Sequence, residues 1–309
     1  METVEKAIIK TLSFFDLFSY PLTKEEIFSY LWQVKSEQDL VSKVLIEVLN
    51  KKLVEEKNGY YFLLGREGNC EIRKNSLLES EAKLKIAYKA VKKISAVPFI
   101  KAIFVCNSVA FGLAKKDSDI DLLIVTTKKR LWLVRFFTNL ILLVFGLRVG
   151  KNKAKSRICL SFYLNEDDLN LQNILVIPED IYLIYWLVTL LPIFDNNKIK
   201  EKIIKSNSWI NKFVPNFFNE LSSYTKEIHN GWFKSLLKNI LEKTWFGFYG
   251  DLMEKQAKEI QISKMKFALQ NIENKAPGII LNDLMLKFHE NDKRKEYYEQ
   301  WQTTLKNFQ

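Results

Sequence analysis

Histidine and cysteine are the scarcest reactive residues in this chain, with two His and three Cys among 309 residues. The cysteines, Cys70, Cys106 and Cys159, are odd in number and lack metal-type spacing, and only His229 and His289 could join them. A zinc site and a disulfide framework are thereby excluded, and a reducing, cytoplasmic compartment is expected. Glycine and proline are also few, 10 and 6, which argues against long disordered or low-complexity regions. No apolar run reaches the roughly 20 residues that a spanning helix needs, so no membrane span is expected. Two runs come nearest: Leu131 to Leu147, which contains Arg135, and Ile181 to Phe194, which contains Thr189 and Pro192. Both read as helices packed on a sheet or on each other, with a peripheral membrane contact as the alternative. The amino terminus METVEKAIIKTL carries acids and no apolar core before a small-residue cleavage site, so no signal peptide is expected.

What is present fits an ordinary globular protein. The chain is 48% hydrophobic and 27% charged, with length enough for two or three domains. Its formal charge of +11 would suit a polyanionic partner such as nucleic acid. A Lys-, Ile- and Asn-rich composition accounts for the same number equally well.

Three parts can be distinguished, 1–70, 71–180 and 181–309. In the first, Thr23 followed by Glu26 forms a capping box that starts a helix. Leu40, Val44, Leu45, Val48 and Leu49 share one face of a further helix over Asp39 to Lys52. Lys57-Asn58-Gly59 is a hairpin turn before the aromatic strand Tyr60-Tyr61-Phe62. Three helices and a hairpin resemble a winged helix-turn-helix. Such a unit would bind DNA through the exposed Ser42, Lys43, Glu47, Asn50 and Lys51 of its third helix. Two cations are few for phosphate neutralisation, which favours a structural or protein-contact role.

The second part alternates strands and helices, as an α/β core does. A charged helix is expected over Ser76 to Ser95, then strands over Ile100 to Val105, Ile120 to Val125 and Ile158 to Leu164. The apolar helix Leu131 to Leu147 lies between the last two. The basic stretch Arg148 to Arg157 could line a groove for a polyanionic acceptor or form a solvated loop. The third part reads as all helical. The aromatic stripe of TWFGFYGDLMEKQAKEI is expected to pack in a core. His289, Asp292 and Arg294 cluster after the break at Lys275-Ala-Pro-Gly278, either as a solvated helix end or as a contact with substrate or the central domain.

The segment Asn107 to Asp121, NSVAFGLAKKDSDID, carries the chemistry. Asp119 and Asp121 are one residue apart at the start of a strand, and strand alternation sends side chains i and i+2 to one face. Both carboxylates therefore project together, placed to share a divalent cation. The turn at Asn107-Ser108 would offer backbone N–H groups to phosphates, Ser108 a hydroxyl, and Gly112 a backbone without a Cβ.

This segment resembles the signature of the polymerase-beta-like nucleotidyltransferase superfamily: a Gly-Ser turn after the first strand, a later Gly, and Ser-Asp-x-Asp opening the second strand. The matching positions are Asn107-Ser108, Gly112 and Ser118-Asp119-Ile120-Asp121. The resemblance implies an α/β (α+β) nucleotidyltransferase core with a mixed sheet, flanked here by the winged-helix-like unit and the helical part. It implies Mg²⁺ (or Mn²⁺) at Asp119 and Asp121, and an NTP held by Asn107, Ser108, Gly112 and Ser118. A nucleoside monophosphate would pass to the hydroxyl of an unidentified acceptor, whether small molecule, protein or nucleic acid. Two positions depart from the pattern. Asn107 replaces Gly, which a left-handed turn tolerates. The family's third carboxylate, on the following strand, has no counterpart in ICLSFYL, where Cys159, Ser161 and Tyr163 share a face; Glu166, Asp167 and Asp168 lie just beyond it. That loss would impair chemistry more than binding. It leaves room for a catalytically impaired nucleotide-binding or regulatory protein, or for a partner-dependent member of the antitoxin type.

Overall fold

The computed structural model of the chain describes residues 3–148, 157–217, 227–269, 278–288 and 291–308. The chain opens with α1 (Val4–Asp16), α2 (Lys24–Ser29), α3 (Gln38–Asn50) and a hairpin of β1 (Val54–Lys57) and β2 (Tyr60–Leu63). Local chemistry sets the first two helix starts. The Thr3 hydroxyl accepts from the Lys6 N–H at 3.3 Å, and Thr23 and Glu26 form the expected capping box. The hairpin turns on Asn58 (φ 56°) and Gly59 (φ 80°), the left-handed pair that a tight two-residue turn needs.

α4 (Asn69–Ile94) starts earlier than Ser76, and its extra turns carry Arg73. Arg73 is buried; it donates to both Glu26 oxygens at 2.8 Å and to the Pro21 carbonyl. It also lies over the Tyr20 ring at 4.1 Å and the Tyr60 ring at 4.4 Å. One guanidinium thus ties α4 to α2, to the segment before it and to the hairpin.

The chain continues through β3 (Ile100–Val105), α5 (Asn107–Ala110), β4 (Ile120–Thr126), α6 (Leu131–Val144) and β5 (Ile158–Asn165). α7 (Ile181–Val188), β6 (Leu191–Asp195), α8 (Ile199–Ser206), α9 (Trp232–Thr244) and α10 (Phe248–Leu269) follow. β7 (Ile279–Leu281), β8 (Met285–Phe288) and α11 (Arg294–Lys306) complete the described elements. Six strands form one mixed sheet in the order β6-β3-β4-β5-β8-β7. Only β4 and β5 are parallel, and α6 is their crossover. The fold is mixed α/β.

The all-helical reading of 181–309 is corrected, because β6, β7 and β8 all join this sheet. Each is too short for its periodicity to stand out, and β6 carries Pro192, which an edge strand tolerates. The apolar run Ile181 to Phe194 divides into α7 and β6. No helix among the described residues is long and apolar enough to cross a membrane.

The sheet separates two cores. Phe104, Leu123, Val125, Phe162 and Leu164 face a core shared with α1, α2, α3, α7, α8 and α11. On the other side Ile103, Leu122, Ile124 and Tyr163 face α4, α6 and α10. The N-terminal helices are therefore part of the main body. Trp32 meets Trp301 with ring centroids 5.5 Å apart, and Trp301 Nε1 donates to the Lys10 carbonyl at 2.9 Å. The aromatic stripe expected in a core is corrected as well: Phe246, Phe248 and Tyr249 are exposed. Gly247, at φ 74°, breaks the helix there, so the stripe never shares one helical face.

Candidate functional site

Asp119 directly precedes β4 and Asp121 is its second residue, while Ile120 between them enters the second core. The alternation thus holds as expected. The end of β3 and the beginnings of β4 and β5 meet here. Cys106 N–H donates to the Asp121 carbonyl at 3.1 Å, and Cys159 is the register partner of Asp121.

β5 departs from simple alternation. Its pairing with β4 shifts between Asp121↔Cys159 and Leu123↔Phe162, a bulge that re-aims side chains. Ser161 Oγ consequently donates to Asp121 Oδ1 at 3.3 Å. Phe162, the next residue, stays on the same side of the sheet, and Tyr163 turns to the other, its hydroxyl 3.0 Å from Thr138 Oγ1 on α6. The common face expected for Cys159, Ser161 and Tyr163 is therefore corrected for Tyr163. Burial pushes the Cys159 thiol up to about 12, with the Asp121 charge and hydrogen bond and then Asp119 adding to it. At neutral pH Cys159 is an uncharged thiol within the field of both carboxylates.

Glu166, Asp167 and Asp168 do not reach this end. Because β5 runs parallel to β4, Glu166 N–H meets the Thr126 carbonyl, about 16 Å along the strand from Asp121. Glu166 pairs with Lys101 at 3.7 Å and Asp167 with Lys128 at 2.9 Å. Among the described residues no group of three His, Cys, Asp or Glu is arranged to hold a metal ion. Two carboxylates with a hydroxyl beside them suit a hard cation that keeps waters and phosphate oxygens as its other ligands.

The turn before the carboxylates adopts left-handed backbone at Asn107, φ 55°, the conformation Asn enters most readily after Gly. Asn107 Oδ1 accepts from Trp186 Nε1 at 2.9 Å, which fixes the turn against α7. Gly112 is also left-handed, φ 73°, and a Cβ there would lie 2.8 Å from Leu77 Cδ2 and 3.4 Å from the Tyr20 hydroxyl. Helix α4 and the Tyr20 ring cover this glycine. Ser118 Oγ accepts from Lys115 N–H at 2.9 Å, closing the loop that leads to Asp119. Lys83, buried on α4, holds the same loop by donating to the Ser118 carbonyl at 2.8 Å.

Beside Asn107 a cleft of about 150 Å³ opens, lined by Phe162, Tyr182, Trp186, Lys287, Asp292 and Tyr297, among others. Tyr182 and Tyr297 stack with centroids 5.4 Å apart. Burial holds the Tyr182 phenol well above its ordinary value, and Tyr297, Cys106, Asp121 and Asp292 add to the effect. Tyr182 therefore lines the cleft within the field of Asp121.

Arg294 opens α11 and donates to Asp180 at 2.8 Å and to both Asp292 oxygens at 2.8 and 2.7 Å. Lys287 on β8 completes the network, 2.8 Å from Asp292. Lys293, exposed, borders the same cleft. The solvated-end account of Asp292 and Arg294 is thus corrected: both side chains are buried against the start of α7. His289 lies outside the described residues, as do 149–156 of the basic stretch. Of its two ends, Arg157 Nη1 donates to the Arg148 carbonyl at 3.3 Å.

Sequence patterns indicated the carboxylates and the turn. Trp186, Tyr182 and Lys287 were missed, since each reads as an ordinary core or surface residue. Only the sheet order brings β8 and α7 to the strand ends that carry Asp121. Comparison with protein-family models, curated proteins and solved structures returned no match.

Proposed function

We propose that this chain is a nucleotidyltransferase-type protein that binds an NTP with a divalent cation at Asp119 and Asp121. The observation that carries this reading is that both carboxylates share the face of β4 opposite Ile120, with Ser161 Oγ 3.3 Å from Asp121 and the left-handed turn at Asn107 at the end of the neighbouring β3. Mg²⁺ or Mn²⁺, held by Asp119 and Asp121 together with phosphate oxygens, would neutralise the triphosphate and stabilise charge on the attacking and leaving oxygens. The chain's own residues position the reactants. Backbone N–H groups of the Asn107-Ser108 turn face the phosphates, and Lys293 at the cleft rim attracts them. Tyr182 and Tyr297 offer ring surface to a base. In the transfer the acceptor hydroxyl gives its proton to solvent as its oxygen bonds to the α-phosphorus, the bond from that phosphorus to the α–β bridging oxygen breaks, and pyrophosphate leaves.

Ser161 and Cys159 favour a second reading, a binding protein with impaired turnover. They occupy the strand positions nearest Asp121 and provide no base at neutral pH, given a thiol near 12. Turnover would then depend on a proton acceptor brought by the substrate or by a partner protein.

The three helices and hairpin at the N terminus support a winged-helix-like unit used for protein contact. The outer face of α3 exposes Leu40 and Ile46 beside Lys43 and Glu47, a mixture suited to a protein surface more than to phosphates.

Incubation with NTPs labelled at the α-phosphate and a cell lysate tests the transferase reading. Label should enter an acceptor with wild-type protein and fail to do so with Asp119→Asn/Asp121→Asn. Equal labelling by both proteins refutes the site. Nucleotide binding without any labelling selects the second reading.

A further inference from the structure

On the second face of the molecule, away from the carboxylates, two helices leave large apolar side chains in solvent. α9 exposes Trp232 (78%), Phe233, Leu236 and Ile240, and Phe246 and Phe248 (87%) follow at its junction with α10. α6 adds Leu140, Leu143, Val144 and Phe145 at its C-terminal end. Isolated exposed apolar residues are ordinary, whereas a contiguous group of this size marks a contact surface.

Direct contacts make the group contiguous. Phe137 of α6 stacks on Trp245 at the end of α9, with centroids 5.3 Å apart. At the opposite end Lys93 stands 4.3 Å over the Phe145 ring, and Lys234 of α9 donates to the neighbouring Lys92 carbonyl at 2.9 Å. α6, α9 and the end of α4 therefore share one surface.

The charges around it are sorted by sign. Lys92, Lys93, Lys234 and Lys243 are exposed at its margin. The nearby acids are taken up by fixed partners, Asp251 while still half exposed. Glu242 accepts from Phe99 N–H at 2.6 Å, and Glu254 from Trp132 and Leu133 N–H at 2.8 Å each. Asp251 accepts from Arg130 at 2.8 Å. A second copy of this chain would bring the same lysines against these and be repelled. A nucleic acid would satisfy the lysines and leave Leu, Ile and Val without a partner. Anionic lipid satisfies both, since aromatic and aliphatic side chains settle at the acyl boundary and lysines at the headgroups.

We propose that the α6–α9 face is a peripheral docking surface for an anionic membrane. The apolar side chains enter the interface without any helix spanning it, and the strand ends with Asp119 and Asp121 stay open to solution.

Co-sedimentation of the full chain with phosphatidylglycerol-containing and pure phosphatidylcholine vesicles tests this. Wild-type protein should sediment with the anionic vesicles and stay largely in solution with the zwitterionic ones. Phe246→Ser/Phe248→Ser, both at exposed positions, should weaken anionic-vesicle binding by about tenfold or more with an unchanged circular dichroism spectrum. Lys92→Gln/Lys243→Gln should weaken it by about tenfold. No binding to anionic vesicles, or equal binding to both compositions, overturns the proposal. So does a dimer seen by light scattering that the Phe246→Ser/Phe248→Ser variant abolishes, because a second copy would then cover this face.

Discussion

Ser161 Oγ lies 3.3 Å from Asp121 Oδ1, carried there by a bulge in β5. A hydroxyl therefore stands where a further acid would reach the carboxylate pair. Ser161→Asp should supply that acid and raise Mn²⁺ affinity by about tenfold at neutral pH, as an added oxygen ligand of negative charge does. Calorimetric titration of Mn²⁺ checks this, and an unchanged affinity would separate the Ser161 position from metal binding.

The turn at Asn107 makes a distinct prediction about stability. Its left-handed φ is open to Gly, so Asn107→Gly should change stability by no more than about 1 kcal/mol, mostly through loss of the Trp186 hydrogen bond. Asn107→Val, β-branched and disfavoured in that region, should cost about 2 kcal/mol or more. Urea denaturation distinguishes the two outcomes.

Gly112 is constrained both by its backbone and by its neighbours. Gly112→Ala should cost about 3 kcal/mol, combining left-handed strain with the clash against Leu77. Leu77→Ala should then be less damaging in the Gly112→Ala background than alone, because it removes the clash. A double-mutant cycle reads that coupling directly; additive effects would mean that the backbone conformation alone sets the cost.

Asp292 links the acid limb of stability to the cleft. Burial opposes its charge, yet hydrogen bonds from Arg294 and Lys287 hold its carboxyl well below the usual carboxylate range. A depressed carboxyl stabilises the fold above its unfolded value of about 4, and that contribution is lost as pH falls through the lower folded value. Wild-type stability should therefore fall on acidification below about pH 4. Asp292→Asn should cost about 3 kcal/mol at pH 7 by leaving two buried cations short of a partner. Its stability should also depend less steeply on acid. Denaturant midpoints across pH measure both effects.

Much of the central fold was legible because its signals are local. The capping box at Thr23, the Asn58-Gly59 turn and the strand over Ile100 to Val105 each lie within a few residues of sequence. The positions of Asp119 and Asp121 followed from alternation alone. What escaped reading depends on distant partners. β6, β7 and β8 are short strands defined by the strands they pair with, and nothing local separates LPIFD from a helix end. Tyr163 was assigned to the wrong face because a bulge adds one residue to the count. The burial of Arg73 and Arg294 has no local signal either, since Glu26, Asp180 and Asp292 come to them from other elements.

Metal-nucleotide binding at the carboxylate pair is most directly measured by calorimetric titration of ATP, with and without Mg²⁺, into wild-type protein and Asp119→Asn/Asp121→Asn. Binding should require Mg²⁺ and should be abolished by the double substitution while the fold persists by circular dichroism. Binding that is indifferent to Mg²⁺, or equal in the two proteins, would contradict this.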